Sequence, residues 1–318
     1  MLPQVYIVIL NYKRWQDVVE CLDSVFRSTY KNFTAIVIDN DSQNDSLQYL
    51  RNWADGDNTL QWKAEKPIGY KCLHGEEINA STYFDPSTQL FFVQNANNVG
   101  FAAGNNVVLQ SLLKEDAYIW LLNPDIVIEK NTLSELVEFA NSQPLKSIIG
   151  SVIKSYTNKD EILLYGGAKI NFNSATISLI ENENKISDID FIYGGSLFTH
   201  SRHFKEIGLL PQDYFLFWEE ADWCYQAQQK GYKMLVCRTA ISYDKISTSI
   251  GKGFLADYYY TLNGFLFLKK YKKKKIGVAS VFAILRFLKR IVTGKWSSAK
   301  GVFKGVLTFA KQTKHESE

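Results

Sequence analysis

Val5-Tyr6-Ile7-Val8-Ile9-Leu10, running into Asn11-Tyr12, is the stretch that decides the fold. It is continuously apolar, rich in β-branched residues and bounded by polar ones, which marks a strand buried on both faces. Trp15, Val18, Val19, Leu22, Val25 and Phe26 then recur at helical spacing, and residues 33–38 form a second apolar run. Strand, helix and strand in such short compass make a βαβ unit, so the sheet is parallel and its crossover right-handed. Residues 90–93 and 118–122 read as further strands. Between them a helix opens near Phe101 and turns Val107, Val108, Leu112 and Leu113 inward. A helix over 132–140, a strand over 148–153, a β-like region over 160–199, a helix over 219–230 and a strand over 232–237 complete the body. Residues 55–89 read as a helix end followed by a long irregular excursion. The expectation is an α/β fold with a mostly parallel central sheet flanked by helices.

In open parallel sheets, ligands bind beyond the carboxyl ends of the strands. Here those ends carry Asn11-Tyr12, Asp39-Asn40 and Asn123-Pro124-Asp125. Each is also an ordinary turn or cap sequence, but three successive strands ending this way favour a site. The segment Asn98-Val99-Gly100-Phe101-Ala102-Ala103-Gly104 lets a helix start pack closely, with its free N–H groups open to an anion. It is neither a P-loop nor a GxGxxG fingerprint, which removes the main support for kinase and dehydrogenase readings.

Composition narrows the class. The 318 residues are 46% hydrophobic and 22% charged, which excludes a disordered chain. The four cysteines have no zinc-site spacing and are too few for a disulfide scaffold, so a reducing cytosol is expected. No signal peptide and no spanning apolar stretch is read. The net charge of +3 conceals an asymmetry: from Tyr258 onward 14 Lys and Arg face two acids, leaving 22 bases against 31 acids before it.

The strand ends at Asn11-Tyr12 and Asp39-Asn40-Asp41-Ser42, the segment 98–106, Leu121-Leu122-Asn123-Pro124-Asp125 and the stretch from Asp213 through Glu219-Glu220-Ala221-Asp222 to Tyr232 together resemble glycosyltransferase family 2. The likeness spans residues 3–250 and is nearest in character to a bacterial rhamnosyltransferase-like, surface-polysaccharide branch. It implies a GT-A fold and inverting transfer from a nucleotide-diphosphate sugar. Asn11 and Tyr12 would line the nucleotide pocket, Asp39 with its neighbour Asn40 would meet the base, and Asn98 and Gly100 would lie near base or ribose. Asn123 and Asp125 match the ends of the family's DxD motif, Asp125 as the ligand of a divalent cation, Mg2+ or Mn2+. Glu220 matches the catalytic base, with Asp222 and Glu219 as its acidic companions. Asp244 takes a place where the family often has His, as a second metal ligand or as a plain turn residue. No QxxRW motif is present, which favours transfer of single sugars. Uracil and thymine present the same edge to Asp39, so the implied donor is a UDP- or dTDP-sugar and the acceptor a polyprenyl-diphosphate-linked glycan.

A carboxylate base suits this chemistry, since it removes the acceptor proton during in-line attack. Glu219, Glu220 and Asp222 also suit a dipole-complementing first helical turn. Trp218 and Trp223 are open to sugar stacking or to the core. His200 and His203 have metal-like spacing, but no completing ligand follows, so they read as a surface helix start.

The domains expected are a transferase unit over 1–255, with a nucleotide-sugar half at 1–125 and an acceptor half at 126–255, and a basic amphipathic helical tail at 256–318. Lys269-Lys270-Tyr271-Lys272-Lys273-Lys274-Lys275 precedes two helical segments. In the first, Arg286, Lys289 and Arg290 share a face; in the second, Lys300, Lys304 and Lys311 do. That pattern reads as an anchor on an anionic membrane surface, with homo-oligomer formation and a solvated basic extension as the alternatives. No nucleic-acid-binding signature accompanies the charge. The leading expectation is a non-processive transferase, cytoplasmic and peripheral on the inner face of the cell membrane. The rivals are a catalytically idle sugar-nucleotide-binding scaffold and a nucleotidyltransferase.

Overall fold

The computed structural model describes residues 2–57, 64–245 and 253–315. Its first strand, β1 (Val5–Asn11), leads through α1 (Trp15–Phe26) to β2 (Phe33–Asp39), α2 (Ser46–Ala54), β3 (Tyr70–His74) and β4 (Leu90–Gln94). Then follow α3 (Gly100–Leu112), β5 (Tyr118–Leu122), β6 (Ile126–Ile128), α4 (Thr132–Ser142), β7 (Ser147–Ser155) and β8 (Ile162–Tyr165). The second half holds β9 (Gly167–Asn171), β10 (Thr176–Leu179), β11 (Phe191–Ile192), β12 (Ser196–His200), α5 (Ser201–Ile207), α6 (Glu219–Gln229) and β13 (Lys233–Asp244). Three helices close the chain: α7 (Phe254–Tyr271), α8 (Ile276–Val292) and α9 (Trp296–His315).

The main sheet runs β3-β4-β2-β1-β5-β12-β7-β13-β6, with β8 on β7, and β9–β11 form a small second sheet. β3, β4, β2, β1 and β5 are all parallel. The fold is therefore the α/β class read from the sequence. The β1–β2 register ends on the pair Asn11 and Asp39, so the two polar strand ends meet at one edge. Alternation along β1 builds two cores. Val5, Ile7 and Ile9 face Val18, Leu22 and Trp53, whereas Tyr6 and Val8 face Val108, Leu112 and Phe204. Helices thus cover both faces, as a parallel sheet requires.

β3 lies inside the stretch expected to be irregular. Only Tyr70 and Leu73 along it are even half-buried, so its sequence lacks the apolar signal of an inner strand. The expected surface start at 200–203 is also different. His200 and His203 are buried, His203 bonds Thr199 at 2.7 Å and the Leu145 carbonyl at 2.7 Å, and burial lowers both imidazoles to about 4.

The C-terminal segment is not a detached tail. The expected boundary between 255 and 256 falls inside α7, whose Phe267 joins the main core. Leu262, Phe265 and Leu268 build a further core with Ala279 and Ala283 of α8 and Phe309 of α9. A Cβ at Gly301 of α9 would lie 2.4 Å from the Phe254 carbonyl, so glycine is what lets these helices touch. Two of the three charges expected on the outer face of α8 point inward: Arg286 donates to Thr261 at 2.6 Å and Arg290 pairs with Asp257 at 3.2 Å. The tail's two acids, Glu316 and Glu318, lie outside the described residues.

Candidate active site

Six described non-glycine residues have left-handed backbone, and five of them, Lys13, Asp41, Gln43, Phe217 and Trp218, follow β1 and β2 or precede α6. Such conformations persist where surrounding structure imposes them, and they concentrate at functional sites. The loops after β1 and β2 are held by Asp39. Its oxygens accept from Asn11 at 2.6 Å, the Ser42 hydroxyl at 2.7 Å, the Ser42 amide at 2.9 Å and Gln94 at 3.3 Å. Asp39 and Asn11 are both buried. A second network joins the loop before α3: Asn40 donates to Asn98 at 2.9 Å and to the Gly100 carbonyl at 3.2 Å.

Above these networks lies a cavity of about 550 Å³ lined by Tyr12, Arg14, Asn40, Asn98, Gly100 and Asn123 on its polar side. Phe215 on the segment before α6, Phe254, Leu255 and Tyr259 on α7, and Ser297 on α9 line the other side. Five of the expected donor residues therefore line one cavity, while Asn11 and Asp39 lie beneath it. Direct contact of Asp39 with a base requires one of its four bonds to open. Arg14 and the apolar wall were not read from the sequence. Arg14 sits in a short polar loop with no motif, and Phe254 and Tyr259 look like any helix-core aromatics.

Asp125 and Asp244 are brought together. Strand β13 pairs antiparallel with β6, placing Asp244 opposite Ile126, and the Lys245 amide donates to the Asp125 carbonyl at 3.3 Å. Both carboxylates are buried. Asn123 joins the same corner, its amide bonded to the Gly195 carbonyl at 2.9 Å. Among the described residues no three His, Cys, Asp or Glu cluster as a metal site. Two buried carboxylates on neighbouring strands nonetheless suit a hard cation that completes its shell with water and diphosphate oxygens.

Tyr193 is the connecting residue that sequence reading missed. Its hydroxyl donates to Asp244 at 3.0 Å. Burial first, then the negative charge of Asp244, Asp125 and Glu220, holds its phenol well above the ordinary value. Glu220 follows the left-handed Phe217–Trp218 turn and takes the amides of Gly194 and its own residue; desolvation pushes its carboxyl up to about 7. Glu219 is buried deeper, its Oε2 has no hydrogen-bond partner among the described residues, and burial plus Glu220 hold it well above the carboxylate range.

Asp222 does other work. It is fully buried and accepts from Tyr214 at 2.8 Å, Gln226 at 2.8 Å, Tyr271 at 2.5 Å and Lys270 at 2.8 Å. The last two sit at the end of α7, so Asp222 ties α6 to α7, and its four bonds leave no oxygen for a reacting group. Trp218 and Trp223 are fully buried as well, which makes them core residues and not stacking platforms.

Residues 6–66 match the family model described as Glycosyl transferase family 2. A hexosyltransferase of low-salt glycan biosynthesis from Haloferax volcanii is 22% identical over 241 residues, which cover 75% of this chain and 66% of that relative. The match thus spans just under two thirds of the relative's length. A mannosyltransferase from Pyrobaculum calidifontis, solved with GDP-Man and Mn2+, superposes with a TM-score of 0.56 at 12% identity, covering 98% of this chain and 88% of that one. GalNAc-T7 with UDP, GalNAc and Mn2+ gives a TM-score of 0.58 at 14% identity, over 93% of this chain and 58% of that one. The fold is GT-A, as in these solved structures.

Proposed function

We propose that this protein is an inverting, non-processive glycosyltransferase that moves a hexosyl or deoxyhexosyl group from a UDP- or dTDP-sugar to a lipid-linked glycan. The bacterial O-antigen or capsule type of synthesis, in a rhamnosyltransferase-like branch, is the setting that the sequence motifs favour. The observation that carries the reading is the pairing of β13 with β6, which sets Asp244, bonded by Tyr193, beside the Asp125 backbone next to the cavity's Asn123 corner.

The cavity's asparagines and the Gly100 backbone offer donors and acceptors to a nucleotide, and Tyr12 offers a ring face. Solved GT-A neighbours hold Mn2+ beside a nucleotide or nucleotide sugar, and here Asp125 and Asp244 are the residues suited to a divalent cation. When bound, such a cation neutralises charge building on the departing diphosphate. Glu220, raised to about 7, is poised to exchange a proton near neutrality. It takes the proton from the acceptor hydroxyl as that oxygen attacks the anomeric carbon opposite the leaving diphosphate, which inverts the centre. Burial, then Glu220, holds the neighbouring Glu219 well above the carboxylate range. Asp222 holds α6, and thereby Glu220, against α7.

The test is transfer from UDP- and dTDP-sugars to a lipid-linked acceptor by the parent and by Glu220→Gln. A transferase loses turnover in the variant and retains donor binding. Nucleotide binding with no transfer in the parent supports the scaffold reading. Release of pyrophosphate instead of a nucleoside diphosphate supports the nucleotidyltransferase.

A further inference from the structure

Helix α8 has seventeen residues and is built inside out for a helix in water. Its charged Arg286 and Arg290 face inward onto Thr261, Asp257 and the ring of Tyr260. Its apolar residues Val278, Val281, Phe282, Leu285, Leu288 and Val292 face outward, with Val281 57%, Leu285 54% and Val292 86% exposed. Turning half-buried arginines inward beside the buried Ala279 and Ala283, while a row of aliphatic side chains stays exposed, departs from the usual amphipathic arrangement. The apolar row continues onto α9, where Phe303 lies 5.9 Å from Phe287 ring to ring and Trp296 is exposed. An apolar surface of this extent marks an interaction site.

Charge decides what it meets. The exposed turn Lys273–Lys275 stands at the start of α8, and exposed Lys289 and Lys295 stand at its end. Three cations at the N-terminus of α8 oppose its macrodipole, although the same lysines directly follow the C-terminus of α7, which favours them. Lysines at both ends of an apolar helix match the headgroup phosphates that border a hydrocarbon layer. No helix among the described residues is long and apolar enough to cross a membrane, so this face lies on a surface. Ser297, next to Trp296, lines the cavity, which puts the cavity's rim beside the apolar face.

We propose that the outward face of α8, with Trp296 and Phe303 of α9, seats the protein in the headgroup layer of an anionic membrane, the lysines at its ends meeting the phosphates. This deepens the lipid-linked acceptor reading and rests on it for the choice of a membrane over a protein partner.

The experiment is sedimentation of the full chain with phosphatidylcholine–phosphatidylserine vesicles and with pure phosphatidylcholine vesicles, without donor or acceptor. The parent is expected in the pellet with the mixed vesicles. The combined variant Val281→Asp, Leu285→Asp and Leu288→Asp is expected to bind them more than about tenfold less, with nucleotide binding unchanged. Should that variant fail to fold, quenching by brominated acyl chains reads the same contact in the parent, as the part of the quenching lost in Trp296→Phe. A parent that stays in the supernatant with both vesicles overturns the proposal. So does a parent that is a dimer in solution and becomes monomeric in the aspartate variant, which assigns the face to a second copy. Vesicle binding without transfer would instead remove the transferase reading and leave this surface standing.

Discussion

The side-chain amide of Asn263 on α7 donates to the Phe217 carbonyl at 3.1 Å and to the Leu216 carbonyl at 2.7 Å. Phe217 and Trp218 are both left-handed, and Glu219 and Glu220 follow them directly. A helix from the C-terminal segment therefore holds the strained turn that aims the candidate base. Asn263→Ala removes both bonds and leaves two carbonyls with one partner fewer. A destabilisation of about 1–3 kcal/mol is expected in denaturant unfolding. Turnover should fall by more than donor affinity does, since the freed Leu216 lines only one wall of the cavity. A chain ending at 255 should not fold at all, because it lacks Phe265, Phe267 and Leu268 from two cores.

Glu220 gives a prediction in pH. As the base it works ionised, so turnover should rise through about pH 7 and fall away below it. Glu220→Gln should lower turnover by about 10²–10⁴-fold and flatten the profile. Stability should move the other way. The folded carboxyl, raised from 4.5 to about 7, binds its proton more tightly than the unfolded chain does. Folding stability therefore falls as pH rises through that window. Glutamine cannot ionise, so the variant should melt higher than the parent at pH 8 and show a smaller gain at pH 5. A variant with lost turnover and an unchanged melting profile would separate the base role from the buried-charge argument.

The metal site predicts a linked loss. A nucleoside diphosphate at about 100 times its dissociation constant should add about 2.7 kcal/mol of stability, and the Mn2+-dependent part of that gain reports the cation. Asp125→Asn and Asp244→Asn should each abolish that part and leave the metal-free melting temperature near the parent's. The Tyr193 hydroxyl can still donate to an asparagine carbonyl at 244. A full Mn2+ response in both variants would place the cation elsewhere. Removing the ion from the parent with a chelator should lower turnover and leave the protein folded.

The parallel half of the fold was legible because its strands are buried on both faces. Val5–Asn11, Phe33–Asp39 and Tyr118–Leu122 stand out as apolar runs wherever the sheet puts no face to water. Tyr70–His74 was not legible because it sits at the sheet's edge with most of its side chains exposed. The polar strand ends were readable only together, since each Asn or Asp after a buried run is an ordinary turn residue taken singly, whereas three successive strands end this way. Tyr193 was hidden. A lone tyrosine before two glycines carries no periodic signal, and its importance comes from β13 and β6 carrying Asp244 and Asp125 to it from distant parts of the chain. The orientation of α8 was likewise invisible. Arg286, Lys289 and Arg290 share a face by spacing, but only Asp257 and Thr261 on α7 decide that the two arginines turn inward.

Gly100 predicts how tightly the two halves of the cavity are coupled. It has φ of +84°, and a Cβ there would lie 2.4 Å from the Phe215 carbonyl oxygen. That same carbonyl accepts the Phe101 amide at 3.0 Å and so joins the start of α3 to the segment leading into Glu220. Gly100→Ala must push Phe215 away and adopt a backbone conformation disfavoured by about 1–2 kcal/mol for a residue with a Cβ. Phe215 stacks on Tyr259 with ring centroids 5.0 Å apart, so its displacement moves the apolar wall along with the turn before α6. The variant should therefore lose donor affinity and turnover together, where Glu220→Gln loses turnover alone. Calorimetric binding of UDP, measured beside transfer rates for both variants, reads the difference. If Gly100→Ala binds UDP as the parent does, the loop before α3 does not shape the donor site, and the nucleotide must be held by Tyr12, Arg14, Asn40 and Asn123.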